Sequence, residues 1–222
     1  MCQTLHNLEF LVECKNLSSS FCSSSQMNEK KFKKKVWPEL RDDLSCGWDK
    51  CSPLVLFVLV LVAENFPSVV DPAFLRQHWK SDSIFDKNNF VEISGILQKS
   101  TSVHPHIHPA CTAVLEAVLA TKNFKKFWKQ FVDDGLLNAG QEHKTFLALE
   151  LFKWCLPRLS SAEKVEWALS QELRRHTIPA MCNGSHALHS VSRGLLQYLV
   201  DFAKVTSDAQ IQAAMLGFFV KS

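Results

Sequence analysis

The stretch Phe124-Lys125-Lys126-Phe127-Trp128-Lys129-Gln130-Phe131 decides the fold. Its aromatic residues fall at offsets 0, 3, 4 and 7, which is one stripe of an α-helix, and its lysines fall opposite them. The same rhythm returns in Ile211, Ala214, Met215 and Phe218, and as a longer seam in Leu188, Val191, Leu195, Tyr198, Leu199 and Phe202. A helix with one apolar stripe must bury it against a neighbour, so a run of such helices stacks into a surface. The expected fold class is all-α, a HEAT/armadillo-like helical-repeat solenoid, and the role expected of such a surface is recognition.

Punctuation on either side of that stretch is regular. Ser52-Pro53 opens a helix over the apolar run Leu54 to Ala63, with serine as N-cap and proline in the first turn. Asp71-Pro72 opens a second helix ending near Trp79; Asp86 caps a third carrying Phe90, Ile93 and Leu97; Pro109 starts a fourth. The Phe124 helix is expected to close at Asp134-Gly135, where glycine can turn left-handed. Gln141 to Leu156 is apolar on two faces, which predicts a helix sandwiched between layers. Ser160-Ser161-Ala162-Glu163 reads as a capping box, and Ser185 and Ser207-Asp208 as starts of the last two helices. Helix pairs recurring at roughly 30 to 45 residues match the period of HEAT and armadillo repeats. The last helix meets no stop signal before Ser222, which predicts an apolar face that a following repeat would bury.

Two regions are expected. Residues 1–50 hold serine tracts (Ser18 to Ser20, Ser23 to Ser25) and the run Lys30-Lys31-Phe32-Lys33-Lys34-Lys35, a composition that buries little and reads as a poorly ordered leader. Residues 51–222 form the helical-repeat segment, truncated at its C-terminal end. The formal charge of +3 is too small to argue for nucleic acid by itself. The run Leu54 to Ala63 is about half of the ~20 residues that cross a bilayer, so no membrane partner is expected. The N-terminal residues lack a basic region ahead of an apolar one, so no export signal is read. Eight cysteines without framework spacing then read as reduced thiols of cytosol or nucleus.

Reactive side chains do not sit at motif spacings. His104, His106 and His108, with Cys111 beyond, have the ligand types for Zn²⁺, but two prolines stiffen them and no distant pair completes a finger. Cys46 and Cys51 lack a partner pair. His186 and His189 lack the glutamate of a metalloprotease helix. Asp133-Asp134 reads as a helix end facing water rather than as half of a two-metal centre. Gly135 and Gly140 are too sparse for a phosphate loop, Gly184-Ser185 lacks a nucleophile elbow, and nothing orients Cys182 toward His176 or His186. No catalytic, cofactor-binding or metal-binding residue is assigned, no cofactor or small-molecule substrate is expected, and the chain reads as no enzyme. Two basic features remain. Lys122, Lys125, Lys126 and Lys129 are either a solvated face or a ridge contacting a partner or phosphates. Lys30, Lys31, Lys33, Lys34 and Lys35 fit a nuclear-localisation cluster, a nucleic-acid-binding arm or a solubilising leader equally well.

The stretch from Val103-His104-Pro105 through Phe127-Trp128, Phe131-Val132-Asp133-Asp134-Gly135-Leu136, Glu142-His143-Lys144 and Leu151-Phe152 to Leu156-Pro157 resembles the Myb-binding protein 1A family, also called the DNA polymerase phi family. Phe66-Pro67, His78-Trp79 and Leu188-His189 are similar too, so the resemblance spans roughly residues 36 to 222. His143 departs from it, standing where arginine is expected. The resemblance implies a nuclear and nucleolar protein of helical repeats. Its implied roles are to bind transcription factors (Myb-like) and other nuclear proteins as a corepressor, and to influence ribosomal RNA transcription and ribosome biogenesis. Direct binding of ribosomal DNA or RNA is the alternative, and polymerase activity a more distant one. The family's longer members end in a basic tail tied to nucleolar retention. A chain without it is expected in the nucleus or nucleolus, or in the cytoplasm.

Overall fold

The computed structural model describes residues 29–100 and 107–220, and among them every regular element is helical. The chain divides into two compact units, Met1–Asp86 and Lys87–Ser222.

In the first unit, α1 (Glu29–Lys35), α2 (Trp37–Leu44) and the single turn α3 (Gly47–Lys50) lead into α4 (Pro53–Asn65) and α5 (Pro72–Trp79). The serine and aspartate N-caps predicted for α4 and α5 are present. Ser52 accepts from Val55 N at 3.2 Å and Asp71 from Phe74 N at 2.8 Å, each satisfying a backbone donor that the helix itself leaves open. Leu56 to Val62 of α4 are all buried, as a helix apolar on every side requires. No described helix is long and apolar enough to cross a membrane.

Of the leader expected over residues 1–50, residues 1–28 with both serine tracts lie outside the described residues, and the remainder is helical from Glu29 onward. Phe32, Trp37, Leu40 and Leu44 are buried, and the Phe32 ring stacks on Phe66 at 3.8 Å. Composition failed here because four apolar side chains, correctly spaced, outweigh the lysines around them. Two tryptophans lock the corner: Trp79 Nε1 donates to Leu44 O and Trp48 Nε1 to Trp79 O, at 2.9 and 2.8 Å. Gly47 makes that corner at φ +68, where a Cβ would stand 3.0 Å from His78 O.

In the second unit a 3₁₀ turn (Lys87–Asn89) leads into α6 (Phe90–Lys99), then α7 (Pro109–Leu119) and α8 (Phe124–Trp128). α8 runs on as a π-helix over Lys129–Leu137, and α9 (Glu142–Cys155), α10 (Ala162–Ala168), α11 (Gln171–Cys182), α12 (His189–Val205) and α13 (Ala209–Val220) follow. The aromatic stripe is the hub of this unit. Phe124, Phe127, Trp128 and Phe131 are no more than 1% exposed. Phe127 meets Phe90 of α6 edge-on at 5.1 Å, and Trp128 meets Phe152 of α9 at 6.3 Å. The π-helix packs against α6, α9 and α11. α9 also packs against α7 and α12, which is the sandwiched position its two apolar faces predicted.

Three local readings need correction. The Phe124 helix does not end at Asp134-Gly135. Its bonds lengthen to the i→i+5 pattern, Asn138 N donating to Asp133 O at 2.9 Å, and the left-handed glycine is Gly140. The capping serine of α10 is Ser161, accepting from Lys164 N, so Glu163 sits one position short of closing a reciprocal box. Ser185 lies in a turn ahead of α12, whose first residue is His189, while Asp208 does cap α13 through the amides of Gln210 and Ile211.

Candidate functional site

The π-helix changes what its residues face. An α-helix would keep the three-and-four stripe going, whereas the wider winding buries Phe131, Val132 and Asp133 in succession, then Leu136 and Leu137. Asp133, expected to face water, is 8% exposed and accepts a hydrogen bond from Ser170 Oγ at 2.7 Å. Burial pushes its carboxyl up to about 6, against the pull of the Ser170 bond, with Asp134 and Glu172 raising it further and Lys129 lowering it. Ser170 meanwhile accepts from Leu173 N at 3.1 Å as the N-cap of α11, so one hydroxyl ties the π-helix to the next helix start.

Gly135 faces α6. A Cβ there would lie 2.6 Å from Gln98 Nε2 and 3.1 Å from both Ser94 Oγ and Gln130 O, so the missing side chain is what leaves room for the Gln98 amide at this crossing. Gln98 Nε2 donates to Ser94 Oγ at 3.1 Å, and Lys144 Nζ donates to Gln98 Oε1 at 3.2 Å. Beside this contact the two helices diverge into an open groove of about 550 Å³. One wall is Val91, Ser94, Gly95 and Gln98 at the 0, 3, 4, 7 spacing of a single α6 face; the other is Lys126, Lys129, Gln130, Asp134 and Gly135.

The four lysines read as one ridge are separated by the structure. All four are exposed. Lys122 precedes α8 in a turn, and Lys125 Nζ lies 5.1 Å from the ring centre of Trp167, a cation–π contact that holds it toward α10. Lys126 and Lys129 edge the groove, and among the described residues neither forms an ion pair with a carboxylate. Lys30, Lys31, Lys33, Lys34 and Lys35 are exposed on α1, whose Phe32 is its buried anchor, so this cluster is the outer face of a packed helix.

The remaining candidates have local roles. His104 and His106 lie outside the described residues. His108 Nδ1 accepts from Ala110 N at 3.1 Å, capping α7. Cys111 is fully buried beside Ser100, its thiol pushed up to about 11 by burial, so it stays protonated and does not face a ligand. His186 Nδ1 accepts from Leu188 N, and His189 Nδ1 donates to Ala180 O. Among the described residues no three His, Cys, Asp or Glu side chains are placed to hold a metal ion. The groove itself was missed in the sequence because its two walls are shaped by glycines, Gly95 and Gly135, and by a change of helical winding.

The profile of the DNA polymerase phi family matches residues 14–222, reaching further toward the N-terminus than the resemblance read from residue 36. The chain is 23% identical over 202 residues to a Myb-binding protein 1A-like protein of Danio rerio, with 87% of this chain and 15% of that protein aligned. It therefore spans about one-seventh of the length of that relative. No solved structure matches it.

Proposed function

The chain belongs to the DNA polymerase phi family, and on that premise we propose that it is a non-enzymatic scaffold segment that binds transcription factors in the nucleus. In this reading its helices stack as HEAT/armadillo-like repeats, and binding represses transcription and tunes ribosomal RNA synthesis and ribosome biogenesis in the nucleolus. The observation that carries it is the Phe124–Leu137 segment, whose aromatic stripe is wholly buried while Lys126 and Lys129 remain exposed beside an open groove. Charge left unpaired at a groove edge favours a complementary partner and steers its approach. The name of the Danio rerio relative, a Myb-binding protein 1A-like protein, supports a transcription factor as the partner class. Capture of a Myb transcription-factor segment from solution by the full chain tests the reading. Retention by the wild type, lost when Lys122, Lys125, Lys126 and Lys129 are all changed to Glu, is the expected result. Retention unchanged by that reversal removes the lysine assignment, and no retention by the wild type removes the reading.

The second reading, direct binding of ribosomal DNA or RNA, is favoured by the same lysines together with the α1 cluster. Each phosphate contact releases counterions, so its signature is affinity falling steeply as salt rises. No retention on a nucleic-acid column at low salt excludes it. Polymerase chemistry needs acidic side chains converging on metal ions about 4 Å apart. Asp133 is instead engaged by Ser170, and primer extension by the purified chain is the direct check.

A further inference from the structure

We propose that the groove between α6 and the π-helix is a docking site for an acidic protein segment, one that places two carboxylates against Lys126 and Lys129 and a single apolar side chain over Gly95. The proposal rests on the scaffold reading and names the part of the surface that does the binding, together with the chemistry it accepts.

Three features of the groove converge on that occupant. The first is charge. Lys126 and Lys129 lie one turn apart on the same wall, with no ion-pair partner among the described residues, so a pair of carboxylates gains two charge-assisted contacts without displacing any existing one. The second is the empty volume over Gly95. A Cβ built there meets nothing within 4 Å, so the α6 wall is open at this point, and Val91, one turn away, is 63% exposed at its rim. An apolar side chain entering there covers Val91 and meets bare backbone. The third is Asp134 on the same wall as the lysines, with the buried Asp133 next to it in sequence.

Asp134 decides between a peptide and a nucleic acid. A nucleic-acid backbone carries a negative charge on every residue and would set phosphates against Asp134 as well as against the lysines. A protein segment varies its charge residue by residue, so carboxylates at one end and a backbone N–H or a basic side chain at the other match both signs. Between the walls the lining is neutral and internally bonded: Gln98 Nε2 donates to Ser94 Oγ, Lys144 Nζ donates to Gln98 Oε1, and Ser94 Oγ donates to Gln130 O.

Gly95 also supplies the means of testing it. A bulky side chain there projects into the groove rather than into the protein, so Gly95→Phe fills the site while the helix stands. A random dodecapeptide phage library is selected on the full wild-type chain and counter-selected on Gly95→Phe, with far-UV circular dichroism of both. The expected outcome is enrichment of peptides carrying two Asp or Glu beside one Leu, Ile or Phe. Synthetic copies should bind the wild type and Gly95→Ala, and bind Gly95→Phe and the double variant Lys126→Glu, Lys129→Glu at least about tenfold more weakly. Failure to enrich any peptide that distinguishes wild type from Gly95→Phe overturns the proposal, as do enriched peptides that are basic or indifferent to the lysine reversal. Displacement of the peptides by a single-stranded oligonucleotide at equal concentration overturns it in favour of nucleic acid. If Gly95→Phe captures a Myb segment as well as the wild type does, the groove falls and the scaffold reading stands. If the peptides bind as expected but no Myb segment is captured, the groove stands and that reading falls.

Discussion

The stretch Leu56 to Val62 of helix α4 and the aromatic stripe of Phe124–Leu137 are both buried, yet the two segments have opposite surfaces. Leu56 to Val62 of α4 are covered on every side, and the serine that caps it accepts from Val55 N. The Phe124–Leu137 segment is sealed along its aromatic stripe, yet it keeps Lys126, Lys129, Gln130 and Asp134 at a groove. A helix with no free face can only support its neighbours. One that buries half its circumference and leaves charge unpaired on the rest has something to bind with. Substitutions should therefore separate stability from binding in the second helix and not in the first.

The largest effects are expected inside the two cores. Phe127→Ala removes a ring packed against Phe90 at 5.1 Å and Phe131 at 5.6 Å, and should cost about 3–5 kcal/mol in urea unfolding followed by circular dichroism. Leu59→Ala, at a position with no exposed surface, should cost about 2–5 kcal/mol. The comparison breaks if Leu59→Ala lowers partner capture under conditions where the chain stays folded, because α4 would then be contributing more than support.

The two capping serines sharpen it at the next level. Ser52 accepts one backbone bond, so Ser52→Ala should cost about 1 kcal/mol. Ser170 accepts from Leu173 N and also donates to the buried Asp133, so Ser170→Ala should cost about 2 kcal/mol, leaving both a helix start and a carboxylate unsatisfied. Equal losses would mean that the Asp133 bond contributes nothing. The same carboxylate gives a pH signature. Its folded value, about 6, lies above the ordinary 3.8, so between those values the folded chain holds a proton that the unfolded chain has released. The Asp133 contribution to stability is therefore greatest below about pH 4 and falls as pH rises through about 6. Asp133→Asn should flatten that slope relative to wild type when unfolding is measured from pH 4 to pH 7.5.

The part of this comparison that was legible in the sequence is the part carried by periodicity. The stripe at Phe124, Phe127, Trp128 and Phe131, the apolar run of α4, the caps at Ser52 and Asp71, and the two-faced helix after Gln141 all follow from three-and-four spacing and turn chemistry. Three things did not. Phe32, Trp37, Leu40 and Leu44 were hidden by the lysines and charged residues between them, because composition averages over a window and packing does not. The switch to i→i+5 bonding after Lys129 left no residue signature, since it depends on what α6, α9 and α11 present to the segment. The lysines could be placed on one face but not told apart, because Trp167, which draws Lys125 away from Lys126 and Lys129, lies 42 residues further along the chain. The candidate site was thus half visible: its charge could be read, its groove could not.

The smallest effects come from the two glycines of the groove, which face the same space and should respond with opposite sign. Gly95 sits inside α6 with open space where a Cβ would be. Gly95→Ala therefore reduces the freedom of the unfolded chain without a clash and should stabilise by about 0.5–1 kcal/mol. Gly135→Ala has the same backbone benefit, but its methyl would stand 2.6 Å from Gln98 Nε2 and 3.1 Å from the carbonyl of Gln130. Gln98 would have to leave Ser94 and Lys144, and the substitution should cost about 1 kcal/mol net. If both alanines stabilise, Gln98 moves away without loss and the close approach of α6 to the π-helix does not hold the groove open. If only Gly95→Ala does, the two helices are held at this spacing by Gly135. The groove is then a fixed feature of the second unit, with its width set before any partner arrives.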